Sequence, residues 1–127
     1  MTAKQSKWVL AKPLYVTKRD KRYKRYARQL KTKGFSDEET WSLDSVISQF
    51  ALPRLRRFRE INNGYPPDLT PAKWGKILDT MIFAFEWNQE CESDANLKLT
   101  KQQTTARWAR HELGLQLFAK YFRHLWW

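Results

Sequence analysis

Residues 34–63 constrain the fold of this chain most strongly, because they hold the end of one predicted helix and the whole of the next. Gly34 is the residue type that most often follows a helix, and Ser36 with Glu39 three residues later matches a helix-starting capping box. Apolar residues then recur at helical spacing and predict a central amphipathic helix: Leu43, Val46, Ile47, Phe50, Ala51, Leu55 and Phe58. Because Pro53 lies inside this run, we expect the helix to kink or break there.

Three further segments show the same helical spacing. Residues 17–33 predict a short, strongly basic helix with Thr17 as its N-cap. Thr70 followed by Pro71 predicts a helix that continues to about Glu90, and a last helix is expected from about Thr100 to the C-terminus. The core-facing positions of these three helices are Tyr23, Tyr26, Ala27 and Leu30, then Trp74, Ile77, Leu78, Met81, Ile82 and Phe85, and then Ala106, Trp108 or Ala109, Leu113, Leu117, Phe118, Tyr121, Phe122 and Leu125. The chain is therefore predicted to be all-α, a compact bundle of about four helices.

Length and composition exclude several classes of protein. A chain of 127 residues fits one domain, and its 42% hydrophobic content exceeds that of disordered chains. No apolar run has the length of a membrane span, and we expect no secretory signal at the N-terminus. The single cysteine, Cys91, agrees with a reducing compartment, so we expect a cytoplasmic protein.

The net charge of +11 is unevenly distributed. Residues 1–33 hold twelve Lys or Arg and one acid, whereas residues 34–127 have a net charge of zero. We therefore expect a basic N-terminal arm and helix at residues 1–33 and a helical body at residues 34–127, within one domain. The arm up to residue 16 either lies on the body through apolar anchors such as Trp8 and Leu14 or is a mobile tail.

Two groups of basic residues are candidates for binding a polyanion or a protein partner. The first lies on the basic segment and the second follows Pro53: Lys18, Arg19, Lys21, Arg22, Lys24, Arg25 and Arg28, and then Arg54, Arg56, Arg57 and Arg59. Such cations bind phosphate groups, and interleaved tyrosines can stack on bases. The alternative is a solvated face, with Tyr23 and Tyr26 in the core and Arg57 paired with Glu60 or Asp37.

The residues that could support catalysis or metal binding are few. Asp79, Glu86 and Glu90 share one helix face and could bind a metal or exchange protons, or they form a solvated acidic face that pairs with Arg107, Arg110 or the basic first helix. His111 and His124 lie too far apart in sequence for a two-histidine ligand motif. We therefore expect no catalytic centre, no metal and no cofactor, with a small enzyme or nucleotide-sequestering protein as an alternative.

Tryptophan is unusually frequent in this chain, with seven residues, and two of them end it. Leu125 and Trp126 are expected to pack against the bundle. Adjacent helical side chains point about 100° apart, so Trp127 is the candidate interface anchor.

Several short motifs resemble a family of small accessory proteins of tailed bacteriophages with no assigned activity. The resemblance covers residues 34–127 and rests on Gly34-Phe35-Ser36-Asp37, Trp41-Ser42-Leu43-Asp44, Leu52-Pro53-Arg54-Leu55, Leu69-Thr70 with the helix that follows, Gly114-Leu115, Leu117-Phe118-Ala119-Lys120-Tyr121-Phe122 and Leu125-Trp126. It implies a small, soluble, phage-encoded protein in the cytoplasm of an infected bacterium. Proteins of this kind often act by blocking host machinery, including defence systems.

The polar residues inside these motifs form a second candidate site: Asp37, Trp41, Asp44, Arg54, Arg57 and Glu86. Each also has a structural interpretation; for example, Asp37, with Glu38 and Glu39, places negative charge at a helix start. The function predicted first is that of an accessory binding protein that inhibits or redirects a bacterial host or defence component, with direct nucleic-acid binding as the runner-up.

Overall fold

The computed structural model describes residues 9–90 and 98–127, without the Glu90 side chain. The described residues form α-helices and no strand, which confirms the all-α prediction. The helices are α1 (Tyr23–Lys33), α2 (Glu38–Trp41), α3 (Leu43–Ile61), α4 (Pro71–Glu90) and α5 (Lys101–Lys120), followed by a 3-10 helix (Phe122–His124). Trp8, Cys91 and the side chain of Glu90 lie outside the described residues, so the predictions made for them remain untested. Within the described ranges, no helix has both the length and the apolarity needed to cross a membrane.

The chain divides into two compact units, Met1–Val46 and Ile47–Trp127. The first holds the basic segment, α1, α2 and the start of α3, and the second holds the rest of α3 with α4 and α5.

The first unit begins its regular structure later than predicted. Helix α1 starts at Tyr23, so the prediction of a helix from Thr17 is wrong. The main-chain N–H of Arg22 donates to the Asp20 carboxylate at 2.8 Å, and a turn between Thr17 and Asp20 precedes it. A short acidic side chain that accepts a nearby main-chain N–H competes with helix formation. Four of the basic residues therefore lie in turns before α1: Lys18, Arg19, Lys21 and Arg22.

The prediction of a helix end at Gly34 is confirmed, since this glycine caps α1 in the left-handed conformation, with φ of 87°. Half of the predicted capping box forms after it. The Glu39 carboxylate accepts the Ser36 N–H at 2.6 Å, but the Glu39 N–H donates to the Ser36 main-chain carbonyl. The helix that follows has only four residues and ends at Ser42, so the single long helix predicted here is two helices, α2 and α3.

Helix α3 differs from its prediction in two ways. It runs through Pro53, which is exposed to solvent, so of the two predicted alternatives, a kink or a break, the break is wrong. Its apolar stripe is half-exposed in the N-terminal part, at Ile47 and Phe50, while Ser48 is buried. The Ser48 hydroxyl accepts a hydrogen bond from the Asn88 amide of α4 at 3.0 Å. Of the predicted stripe, Leu55 is buried and Val46, Ala51 and Phe58 are partly buried, whereas Leu43, Ile47 and Phe50 are exposed.

The core of the second unit forms mainly between α4 and α5. As predicted, Thr70 caps α4, and the buried positions follow the expected stripe through Trp74, Leu78 and Met81. The Trp74 ring meets that of Tyr121 at 5.6 Å, and the Trp87 ring meets that of Trp108 at 5.7 Å. Since the start of each helix meets the end of the other, α4 and α5 are antiparallel.

The predicted stripe of the last helix is correct at Leu117, Phe118, Tyr121 and Leu125, which form or contact the core, but Leu113 and Phe122 are exposed. The capping box of α5 joins Thr100 and Gln103, and Gly114 is buried. A Cβ atom at Gly114 would lie 2.4 Å from the Thr80 carbonyl oxygen, so this glycine allows α4 and α5 to approach closely. Gly114 therefore marks a place where one helix packs closely against the backbone of another.

The C-terminal residues turn away from the core after the 3-10 helix. Leu125 packs against the core cluster as expected, but Trp126 is 73% exposed, which corrects the prediction that it packs there. The reason is that α5 ends at Lys120, so the residues after it no longer follow the helical stripe.

Candidate functional site

The basic segment, residues 18–33, is the dominant electrostatic feature of the first unit. It carries nine exposed cations: Lys18, Arg19, Lys21, Arg22, Lys24, Arg25, Arg28, Lys31 and Lys33. The unit as a whole contains twelve Lys or Arg and five Asp or Glu. An excess of this kind produces a positive potential that attracts negatively charged partners.

Most carboxylates of this unit accept hydrogen bonds from main-chain, hydroxyl or amide groups and not from the cations of the basic segment. The Glu38 carboxylate accepts main-chain N–H groups, and Glu39 accepts the N–H and hydroxyl of Ser36. The Asp37 carboxylate accepts the side-chain amide of Gln29 at 2.8 Å. Among the described acids of the unit, Asp20 is the one that forms an ion pair with a residue of the basic segment. The positive charge of the segment is therefore largely uncompensated by close partners within the unit.

Arg22 is the partner of Asp20. Its guanidinium donates two hydrogen bonds to the carboxylate, at 3.0 and 2.8 Å. These side-chain bonds, together with the bond from the Arg22 main-chain N–H, lower the pKa of Asp20 from 3.8 to about 2, and the same contacts raise the pKa of Arg22. Much of the hydrogen-bonding capacity of Arg22 is thus used locally, unlike that of its neighbours.

Glu38 organises the segment that precedes the basic residues. Its side chain accepts hydrogen bonds from three successive main-chain N–H groups, those of Leu14, Tyr15 and Val16. Glu38 is only 6% exposed, and a buried carboxylate requires such partners. The expectation that part of the arm is anchored is therefore met at residues 14–16, within the first unit.

A cavity of about 480 Å³ opens beside this carboxylate. Its lining combines aromatic rings, carboxylates and one guanidinium and includes Tyr15, Arg22, Tyr26, Asp37, Glu38 and Trp41. Trp41 is 86% exposed, the largest exposure among the large hydrophobic residues of the described chain. We call this feature the aromatic cavity. It lies within the first unit and brings together Asp37 and Trp41 of the predicted polar site with Arg22 of the basic segment.

The second group of arginines, in the second unit, is largely paired. Arg56 contacts Glu86 at 2.8 Å and Arg59 contacts Asp79 at 3.1 Å, both across from α3 to α4. Arg57 contacts Glu60 at 2.9 Å, as one of the sequence interpretations expected. The guanidinium of Arg54 lies 3.9 Å from the centre of the Phe50 ring and donates to the Phe50 carbonyl. Arg56 and Arg59 thus connect α3 to α4, whereas Arg54 and Arg57 make these contacts within α3, and the contacts leave the four arginines less available than the basic segment.

The carboxylates predicted as a possible metal or proton-transfer site on α4 form separate ion pairs. Asp79 and Glu86 each pair with an arginine, as the structural interpretation expected, but the partners are Arg59 and Arg56 of α3 and not the predicted Arg107, Arg110 or basic first helix. Within the described part of the chain, no group of three or more histidine, cysteine or carboxylate side chains is arranged to hold a metal ion.

The remaining predicted residues are not among those that line the aromatic cavity. Asp44 is exposed and accepts the Ser42 hydroxyl at 3.2 Å. Trp127 is 68% exposed, as expected for an interface anchor. His111 stacks edge-on against Trp108, and His124 lies near Tyr121.

Sequence reasoning missed two residues of this site, Glu38 and Tyr15. Glu38 was interpreted only as a charge at a helix start, because its main-chain partners lie more than twenty residues earlier in the chain. The signal that could have found it is the run of three acids at residues 37–39, which is more than one helix start requires.

Comparison of the chain with protein-family models, curated proteins and solved structures finds no match. The function is therefore argued from the surface and the cavity themselves.

Proposed function

We propose that this chain is a binding protein that engages nucleic acid through the basic segment of its first unit. The observation that carries the proposal is that nine Lys or Arg side chains are exposed over residues 18–33. Among these nine, Arg22 is the one with a described ion pair within the unit. Phosphate groups are the most abundant polyanionic ligands that such a surface attracts, and binding releases their condensed counterions.

The contrast between the two basic groups supports this assignment. In the second unit, Arg56, Arg57 and Arg59 each have a carboxylate partner. Among the described contacts of the first unit, Arg22 is the cation of the basic segment that has such a partner, Asp20, while Asp37, Glu38 and Glu39 are bound to amide, main-chain and hydroxyl groups. A strand of nucleic acid would supply the missing negative charge.

The test is a salt titration of binding to a fluorescent single-stranded oligonucleotide. If the basic segment contacts phosphates, log K falls linearly with log salt concentration. The triple variant K18Q/K21Q/K24Q should bind more weakly and reduce the slope by about 2, at roughly 0.7 per phosphate contact on a single strand.

The matched control removes the same charge from the second unit, with K73Q/K76Q/K101Q. These three lysines are also exposed. The proposal predicts a slope close to that of the unsubstituted protein. Equal effects of the two triple variants, or no retention of the oligonucleotide at low salt, would contradict it.

A second candidate function is supported by the C-terminal aromatic residues of the second unit. Phe122, Trp126 and Trp127 are all exposed, and tryptophan is enriched at the centres of protein interfaces. Here the chain would be a phage accessory protein that inhibits or redirects a bacterial host or defence protein, including one that handles nucleic acid. The W126A/W127A variant should lose a bacterial partner that the unsubstituted protein captures in nuclease-treated lysate. No captured protein would contradict this role.

A further inference from the structure

The aromatic cavity carries an inference that the basic segment alone does not. We propose that this cavity receives one unpaired base of a single-stranded nucleic acid, with Trp41 as the surface on which the base stacks. The inference rests on the proposed function, because the basic segment would hold the phosphates of the same strand.

The charges of the lining point to a base and not to a phosphate. Two carboxylates, Asp37 and Glu38, line the cavity with one guanidinium, that of Arg22, which already pairs with Asp20, so negative charge prevails and disfavours a phosphate group. A neutral base has no such penalty, and its flat face suits the rings of Tyr15 and Trp41. The phosphates would stay outside, on the cations of the basic segment.

The exposure of Trp41 supports a role in stacking. With 86% of its surface exposed, this side chain contributes little to the core of its own unit. Aromatic side chains beside a positive surface are the usual stacking partners of single strands, because every base has a π-face. Bases inside a duplex are covered by their neighbours, so the cavity would favour a single strand.

The backbone around the cavity is fixed before any ligand arrives. The Asp37 N–H donates to the Gln29 side chain at 2.8 Å, and the Asp37 carboxylate accepts from the same amide, which ties the start of α2 to α1. Glu38 ties α2 to residues 14–16, including the N–H of Tyr15. Trp41 lies one helical turn after Glu38. The backbone that carries the Tyr15 and Trp41 rings is therefore fixed by these hydrogen bonds. This lowers the entropic cost of binding a ligand.

The volume of the cavity agrees with this occupant. About 480 Å³ lies within the range of sites that bind small organic molecules. One base with its sugar is a ligand of that size class.

The experiment compares a labelled thymidine oligonucleotide with an abasic strand of the same length, which has the same phosphates and no bases. The unsubstituted protein should bind the thymidine strand about tenfold or more tightly than the abasic strand. Trp41→Ala should remove this preference while leaving the salt dependence in place, and Trp41→Phe should retain part of it. Trp127→Ala, the matched loss of an exposed tryptophan, should change neither strand's affinity.

The outcomes separate the inference from the function on which it rests. Salt-dependent binding with no preference for bases, or a preference that survives in Trp41→Ala, overturns the cavity assignment and leaves the proposed function standing. Absence of binding to both strands at low salt overturns both. Circular dichroism checks that Trp41→Ala is folded, and Trp41→Phe provides an independent test if it is not.

Discussion

At the scale of single residues, Gly114 gives the clearest prediction of stability. A Cβ atom added there would lie 2.4 Å from the Thr80 carbonyl oxygen and 2.6 Å from the Ala84 Cβ, so Gly114→Ala must move one helix. We expect a loss of roughly 1–3 kcal/mol in the free energy of unfolding, although alanine is the better helix former.

The control for Gly114→Ala is Gly75→Ala, which also lies inside a helix. Its added Cβ would meet only the end of the flexible Arg59 side chain, at 2.8 Å. Denaturant unfolding should therefore show a much smaller change for Gly75→Ala. A Gly114→Ala protein as stable as the unsubstituted chain would contradict the close packing of α4 and α5.

Asp20 gives a second prediction at this scale. Its pKa of about 2 lies below the usual 3.8, so its contact with Arg22 is complete above about pH 4 and is lost as the pH falls through 2. Between pH 5 and 8 this contact therefore adds no pH dependence to binding. Asp20→Asn removes the ion pair while keeping an oxygen that can accept the Arg22 N–H.

In the proposed function, Asp20→Asn releases Arg22 for phosphate contact. We expect tighter binding to a single-stranded oligonucleotide and a salt slope steeper by about 0.7. Asp68→Asn makes the same change of charge in the second unit and should leave the slope unchanged. Equal effects of the two variants would show that net charge, and not Arg22, determines the affinity.

At the scale of elements, the attachment of residues 14–16 to α2 depends on one side chain. Glu38→Gln removes the charge that the three main-chain N–H groups share, and a hydrogen bond to a charged acceptor contributes roughly 1.5–3 kcal/mol. We expect the amide hydrogens of Leu14, Tyr15 and Val16 to exchange about tenfold faster or more. Glu112→Gln, an exposed acid of α5, is the control. Unchanged exchange after Glu38→Gln would mean that other contacts hold this segment.

Several helix ends could be predicted from the sequence alone. Helices with local start and stop signals were recovered, as at Gly34, Thr70 and Thr100. These signals act within three or four residues, so they are visible without knowing the fold.

The start of α1 was predicted wrongly for a local reason, the hydrogen bond from the Arg22 N–H to Asp20, but the errors in α3 and α5 arose where distant contacts decide the outcome. In α3, Ser48 is buried because Asn88, forty residues later, satisfies its hydroxyl, while Ile47 and Phe50 remain half-exposed. In α5, the close approach of α4 makes Gly114 the buried residue and leaves Leu113 half-exposed. The aromatic cavity was hidden for the same reason, since Glu38 acts on residues that precede it by more than twenty positions.

At the scale of the whole molecule, the two units use their charges differently. In the second unit, arginines of α3 and acids of α4 pair with each other and contribute to the packing of the helices. In the first unit, Asp20 pairs with Arg22, main-chain and amide groups bind Glu38 and Asp37, and the lysines and arginines of the basic segment remain exposed. This difference is the reason to assign binding of nucleic acid to the first unit.

The most direct test of that assignment is a map of amide chemical shifts during titration of the isotope-labelled protein with a single-stranded oligonucleotide. We predict that the large changes fall within residues 12–41, including the indole N–H of Trp41, and that α5 and Trp127 change little. Changes concentrated in residues 122–127, or no change at low salt, would contradict the account.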